Sequence, residues 1–161
     1  MEHLVYCDAK AKVLSRILDG SKTMIIRGAA GRKLPHGRVF EGEPLYFIEN
    51  NGTGLITARA TVKSVFNSEK MSEEESVKLV NENQDKLKLA NEQTKRWAGK
   101  KVLCLIEIKD VSTIETLTLG HQKNMDDWIT VENIDTIISG SNAEAEYKIV
   151  RLTDDEKYQQ K

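Results

Sequence analysis

Gly20-Ser21-Lys22-Thr23-Met24-Ile25-Ile26-Arg27 is the stretch on which the reading of this chain turns. Thr23-Met24-Ile25-Ile26-Arg27 is rich in strand-forming side chains, and Gly20 is the residue expected where a helix ends. Upstream, Val13, Leu14, Ile17 and Leu18 fall at i, i+1, i+4 and i+5, one face of a 3.6-residue period. That spacing predicts a helix over 10–19, capped by Asp8 and closed by Gly20. A helix therefore feeds a strand, with Lys22 at the strand's mouth and Arg27 five residues on. A rise of about 3.3 Å per residue separates the two cations by roughly 16 Å at most. On a regular strand they point to opposite faces, so a shared pocket requires a bulge or turn near Thr23. The plainer alternative is a solvated Lys22 and an Arg27 paired with an acid.

Working outward, 4–7 is a short apolar strand and 28–42 is a loop with four glycines, Pro35 and the cations Arg32, Lys33 and Arg38. The unbroken apolar run 45–48 predicts a buried strand. Asn50-Asn51-Gly52-Thr53-Gly54 is a turn, followed by a long strand over 55–66 in which Ile56, Ala58, Ala60, Val62 and Phe66 form an apolar face. Ser72-Glu73-Glu74-Glu75 is a capping box opening a charged helical stretch, broken near Leu87, that reaches Trp97-Ala98-Gly99. The most apolar segment, 102–108, is the expected central strand. Strands at 113–119 and 147–152 follow, with a loop holding Asn124-Met125-Asp126-Asp127-Trp128 between them and a frayed tail over 153–161. Strands spaced as hairpins, not alternating with long helices, predict an α+β fold: a small mixed β-barrel of five or more strands with flanking helices, the 10–19 helix lying across one opening. Its core should include Leu14, Leu18, Ile26, Phe47, Ile56, Val62, Leu103, Leu105 and Ile106.

At 161 residues, 39% apolar and 30% charged, with ten glycines and two prolines, the chain fits one domain over 1–152 and excludes collagen-like and disordered classes. No apolar run approaches the ~18 residues of a membrane span, and the first residues have no basic n-region or apolar h-region, so a cytoplasmic protein is expected. Cys7 and Cys104 both sit in strand-like runs and are expected to be buried thiols. Residues 1–40 hold eight basic side chains against three acids, so with the chain at −1 overall the remainder stands at −6. This asymmetry hints at a polyanionic partner, although surface helices also carry lysines for solubility alone. Composition carries no signal for oligomeric state.

The chemistry is first narrowed by exclusion. His3, His36 and His121 share no metal-ligand spacing with each other or with the cysteines, so no metal is expected. Gly28-Ala29-Ala30-Gly31-Arg32 follows a strand but lacks the third glycine and the helix of a dinucleotide fingerprint, and no cofactor is expected. Trp97 and Trp128 can each stack a base, though a tryptophan in such a domain more often plugs a barrel end.

Gly20-x-Lys22-x-x-Ile25-x-Arg27 resembles the G-x-K-x-x-E-x-R signature of ASCH domains, PUA-like barrels associated with RNA. Glu41-Gly42-Glu43-Pro44-Leu45-Tyr46-Phe47 is similar to the family's entry to a strand, and Ala60-Thr61-Val62-Lys63-Ser64-Val65 to its A-x-V-x-x-V strand. Together these cover about residues 1–115. Trp97-Ala98-Gly99-Lys100-Lys101 and 124–128 resemble an archaeal branch of PUA-like proteins. The resemblance implies a PUA-like module that binds RNA or a modified nucleotide in a basic cleft lined by Lys22, Arg27 and Arg32, with Lys10, Arg16, Lys33 and Arg38 on phosphates. Relatives that deacylate modified cytidine have a lysine at the Lys22 position, which implies as an alternative a small hydrolase, an amidohydrolase on acylated cytidine or a ribonuclease. A modified-base DNA reader is the third. The signature's glutamate position is Ile25, which accepts no proton, so the enzymatic version is expected to be damaged. Glu41, Glu43 and Glu49 are the nearby carboxylates, and nothing in the sequence places them beside Lys22.

Overall fold

The expected central run opens β5 (Val102–Thr118), the longest strand of a single six-stranded sheet. The computed structural model describes residues 1–120 and 126–139. Its other strands are β1 (Glu2–Cys7), β2 (Met24–Ala29), β3 (Pro44–Glu49), β4 (Leu55–Asn67) and β6 (Trp128–Val131), in the order β2-β5-β4-β3-β1-β6. The sheet curls into a half-barrel, an α+β, PUA-like arrangement. All pairs are antiparallel except β1 with β3, whose parallel register (Val5 opposite Phe47) needs a crossover. The chain between them supplies it through α1 (Val13–Leu18), β2 and a long loop. β3 and β4 form the hairpin expected around the 50–54 turn.

Three irregularities set the shape. Asp110 lies at φ 54 in the middle of β5, yet the strand runs on to Thr118, so the two strands expected at 102–108 and 113–119 are one. A register shift between Ile56 and Ala58 turns the two to different clusters: Ala58 packs with Val5, Phe47 and Ile106, whereas Ile56 packs with Leu4, Tyr46 and Ile48. A second shift, between Val62 and Ser64, leaves Phe66 exposed. The single apolar face expected for 55–66 is therefore corrected to two faces joined by bulges.

Leu14 and Ile17 of α1 share one buried cluster with Ala58, Ala60, Ile106 and Ile108, so the helix packs on this face of the sheet, against β5. A separate cluster, Met24, Ile26, Val80, Leu87, Trp97, Leu103 and Leu105, holds three further helices, α2 (Glu73–Glu82), α3 (Gln84–Leu87) and α4 (Asn91–Trp97), against the other face of β2 and β5. α2 opens on the expected capping box: Ser72 Oγ accepts from Glu75 N at 3.1 Å and Glu75 Oε1 from Ser72 N at 2.9 Å. The helical stretch breaks after Leu87, where Lys88 takes φ 50.

α1 is shorter than the helix expected over 10–19. Lys12 adopts φ 56 and delays its start to Val13, and Asp8 Oδ1 caps the preceding turn by accepting from Ala11 N at 3.2 Å. Leu18, expected in the core, is 41% exposed in the last turn, while the other eight residues named for the core are buried. Trp128 begins β6 and does not lie in a loop. Cys7 and Cys104 are buried free thiols. The strand expected at 147–152 and the 153–161 tail lie outside the described residues. Among those described, no helix is long and apolar enough to cross a membrane.

Candidate functional site

β2 and β6 are the two edges of the half-barrel, and Arg27 spans the seam between them. On β2 the side chains of Ile25 and Arg27 share one face, by the two-residue period. Arg27 Nη2 donates to Tyr6 O on β1 at 2.7 Å, and Nη1 donates to Ile26 O at 2.9 Å. The guanidinium lies 5.6 Å from the Trp128 ring and 5.8 Å from the Trp97 ring. Nε is 3.0 Å from Asp127 Oδ2 but without hydrogen-bond alignment, so the contact is an ion pair and Nε remains a buried donor lacking an aligned acceptor. Burial pulls the guanidinium below its ordinary value, and the Asp127 carboxylate opposes this. Among the described residues no strand pairing closes the seam, and the Arg27 side chain bridges it.

Beside the seam is a cleft of about 600 Å³, bordered by β1, β2, the end of β3, α1 and α4. Lys22 and Arg27 both line it. The opposite-face difficulty vanishes because β2 begins at Met24: Lys22 belongs to the turn before the strand, where its N–H donates to Arg16 O at 3.0 Å. The Lys22 side chain is 4% exposed, and its Nζ donates to Leu87 O at 2.6 Å. Burial, helped by the nearby Arg27, pulls its amine down to about 7. Among the described residues Lys22 has no ion-pair partner. The solvated Lys22 considered as an alternative is thereby corrected.

Asp8, Glu49, Asp126 and Asp127 also line the cleft, with Arg96 as a third cation. Four carboxylates against three cations leave no excess of positive charge, which corrects the expected basic cleft. Of the carboxylates considered for the site, Glu49 is present, whereas Glu43 is turned away to His3 Nε2 (2.8 Å) and the N-terminal amine (3.0 Å). Gln93, buried on α4, donates from Nε2 to Asp8 Oδ2 at 3.0 Å. Ile25 forms part of the apolar lining. Among the described residues no serine or threonine lines the cleft, and burial pushes the Cys7 thiol up to about 12, so it supplies no thiolate near neutrality.

The remaining expected residues are dispersed. Arg32 does not reach the cleft; it is exposed and pairs with Glu69 at 3.1 Å. Arg38 lies on the same exposed loop, and Lys33 reaches a smaller neighbouring pocket. Arg16 donates to Lys88 O at 3.1 Å, and Lys10 is exposed. Both tryptophans, weighed between stacking a base and plugging a barrel end, are buried. Trp128 is 1% exposed, with its Nε1 donating to His3 Nδ1 at 3.1 Å. Trp97 is 5% exposed and has Arg96 4.5 Å from its ring centroid.

The sequence reading missed Asp8, Gln93, Asn50 and Arg96 as cleft residues. Asp8 presents itself as a helix cap, Asn50 as a turn former, and Gln93 and Arg96 as members of a solvated helix, so none carries a signal of its own. Among the described residues no group of acidic, histidine or cysteine side chains could hold a metal ion.

No protein-family model matches the chain, and no curated protein matches it. Its fold does match crystal structures of the ASCH protein from Zymomonas mobilis. One has a TM-score of 0.63 at 13% identity, covering 84% of this chain and 90% of that one. Two single-substitution mutants of the same protein give 0.62 (94% of this chain, 97% of that one) and 0.61 (94% and 95%), each at 13% identity. The likeness is one of fold.

Proposed function

We propose that this chain, with its ASCH-type, PUA-like fold, is a binding module that takes RNA or a modified nucleotide into the cleft beside Lys22 and Arg27. The supporting observation is the mixture of groups around one cleft. A buried amine, a guanidinium, an amide and carboxylates converge around an apolar floor of Ile25 and Ile17. A nucleobase edge offers donors and acceptors side by side on a flat apolar ring, which suits such a lining better than a bare phosphate does. The volume of about 600 Å³ falls within the range of roughly 300–1,000 Å³ usual for small-ligand sites. The test is titration with nucleosides, acylated cytidines and short RNA and DNA strands, followed by calorimetry. RNA or a nucleoside should bind the wild type and lose at least tenfold in affinity with Lys22→Met. Binding of modified DNA alone would point to the DNA reader.

A second reading, a hydrolase, is favoured by one specific observation. An amine near its neutral form stands in a cleft that also holds Asp8 and Glu49. Such an amine can take a proton from water as it attacks an acyl carbon or an ester phosphorus. Against it stands the Leu87 carbonyl, which occupies one Lys22 hydrogen; among the described residues, moreover, the lining offers no serine or threonine hydroxyl as nucleophile. Mass spectrometry of the same incubations separates the readings. Multiple turnovers lost in Lys22→Met would establish the hydrolase and displace the simple binder.

A further inference from the structure

We propose that the smaller pocket on the far side of the Arg27–Trp97 wall seats a phosphate, so that the cleft's ligand is a nucleotide or an RNA phosphodiester and not a free nucleoside. This rests on the nucleotide reading above. The two cavities share Arg27, Arg96, Trp97, Asp126 and Asp127 as a common wall, so one ligand can reach into both. The second is about 230 Å³, below the usual range of small-ligand sites and large enough for a phosphate group with some of its water.

Charge distinguishes the two. Where the main cleft sets three cations against four carboxylates, the smaller pocket sets Arg27, Lys33, Arg96 and Lys100 against Asp126 and Asp127 alone. Asp127 is already shared by two cations, at 3.0 Å from Arg27 and 3.5 Å from Arg96. Lys33 and Lys100 have no ion-pair partner among the described residues. They reach the pocket from different places, Lys33 from the loop after β2 and Lys100 from the turn before β5. Arg27, whose Nε is a buried donor without an aligned acceptor, lines the same pocket. An anion there gains from cations on two sides, and its oxygen atoms are the acceptors this wall lacks. His36, also in the lining, donates from Nε2 to Ser68 O at 2.9 Å, which ties the loop bearing Lys33 to the body of the fold.

Gly28 does not report on this pocket. A Cβ there would come within 2.6 Å of Leu103 Cδ2 and 3.1 Å of Val102 O, so its substitution tests strand packing instead. Lys33 and Lys100 are exposed, and the double variant Lys33→Ala/Lys100→Ala should fold normally.

The experiment compares the four ribonucleosides, their 5′- and 3′-monophosphates, dinucleotides with one internal phosphodiester, and inorganic phosphate by calorimetry. For the best-bound base the proposal expects a phosphorylated form to bind at least tenfold tighter than the nucleoside. The double variant should lose that advantage while its nucleoside affinity stays within twofold of wild type. A dinucleotide stronger than either monophosphate identifies an RNA strand as the source, and the reverse a free nucleotide. Equal affinity for nucleoside and nucleotide, or an advantage that survives in the double variant, overturns the phosphate seat and leaves the nucleotide reading standing. If phosphate binds, the double variant abolishes it and no nucleoside binds, the seat stands and the nucleotide reading falls. Binding of none of these probes overturns both.

Discussion

Lys22 and Arg27 are held inside the protein, whereas Arg32, Lys33 and Arg38, a short distance along the same chain, are held at its surface. The inner pair is fixed by backbone carbonyls, those of Leu87, Tyr6 and Ile26, and is shielded by Trp97, Trp128 and α1. The outer three sit on a loop, and Arg32 has a single partner, Glu69, that is itself 86% exposed. The same residue types therefore do different work. A buried cation is costly to desolvate, so it persists where the surrounding groups hold it in one geometry, and it changes the chemistry of that place. An exposed cation is screened and contributes mainly through long-range attraction. The first pair makes a selective cleft; of the second set, Arg32 and Arg38 offer an electrostatic approach to it, and Lys33 lines the smaller pocket beside it.

The sharpest way to break that contrast is to remove the inner guanidinium. Arg27→Ala deletes the donor to Tyr6 O, the ion pair with Asp127 and the packing on two indoles. A loss of about 3–5 kcal/mol in urea unfolding is expected, the range for breaking a buried charged network. A loss below about 1 kcal/mol would show that Arg27 does not hold the seam.

The next effect lies in pH. Lys22 titrates at about 7 in the folded chain against 10.5 ordinarily, so between those values the unfolded state binds more protons than the folded one. Stability from this group therefore rises with pH through that window, by up to about 1.4 kcal/mol per unit, and below pH 7 the full penalty of burying the charge applies. Lys22→Met should lack this slope. Unfolding free energies of both proteins from pH 6 to 10 give the difference directly; a constant difference means that the amine is not shielded from water.

Salt dependence probes the outer set. Each single-stranded phosphate neutralised contributes about 0.7 to the logarithmic salt slope. Lys33→Ala with Arg38→Ala should flatten the slope of RNA binding by about 1.4, and adding Arg32→Ala should change it little, since Glu69 already engages that guanidinium. An unchanged slope in the double variant removes the loop from the RNA path. The smallest effect is on stability: Arg32→Ala should shift unfolding by no more than about 0.5 kcal/mol, because exposed pairs are worth little. A larger thermal shift would mean that the Arg32–Glu69 pair anchors the loop.

The elements of the sheet were largely legible because alternation and turn chemistry are local. The capping box at Ser72 and the hairpin around 50–54 follow from their own residues and occur as written. What failed were inferences that extend a local period too far. Ile56 and Phe66 were read on one face with Ala58, and bulges redistribute them. Leu18 fits the apolar stripe of α1, yet the helix ends there and the side chain stays 41% exposed.

Arg27 itself shows where the division falls. Its strand, its cationic character and its resemblance to a family signature are properties of residues 20–27 and could be read in order. That it bridges two sheet edges, with Trp128 more than a hundred residues away beneath it, depends on how the sheet curls, as does the arrival of Asp8, Glu49 and Gln93 in one cleft with Lys22. Sequence alone determined the strands, turns and caps, because hydrogen bonding and hydrophobic period act over a few residues. Only the tertiary structure decided which charges are buried together, because desolvation is set by everything that packs around a group and not by its neighbours in the chain.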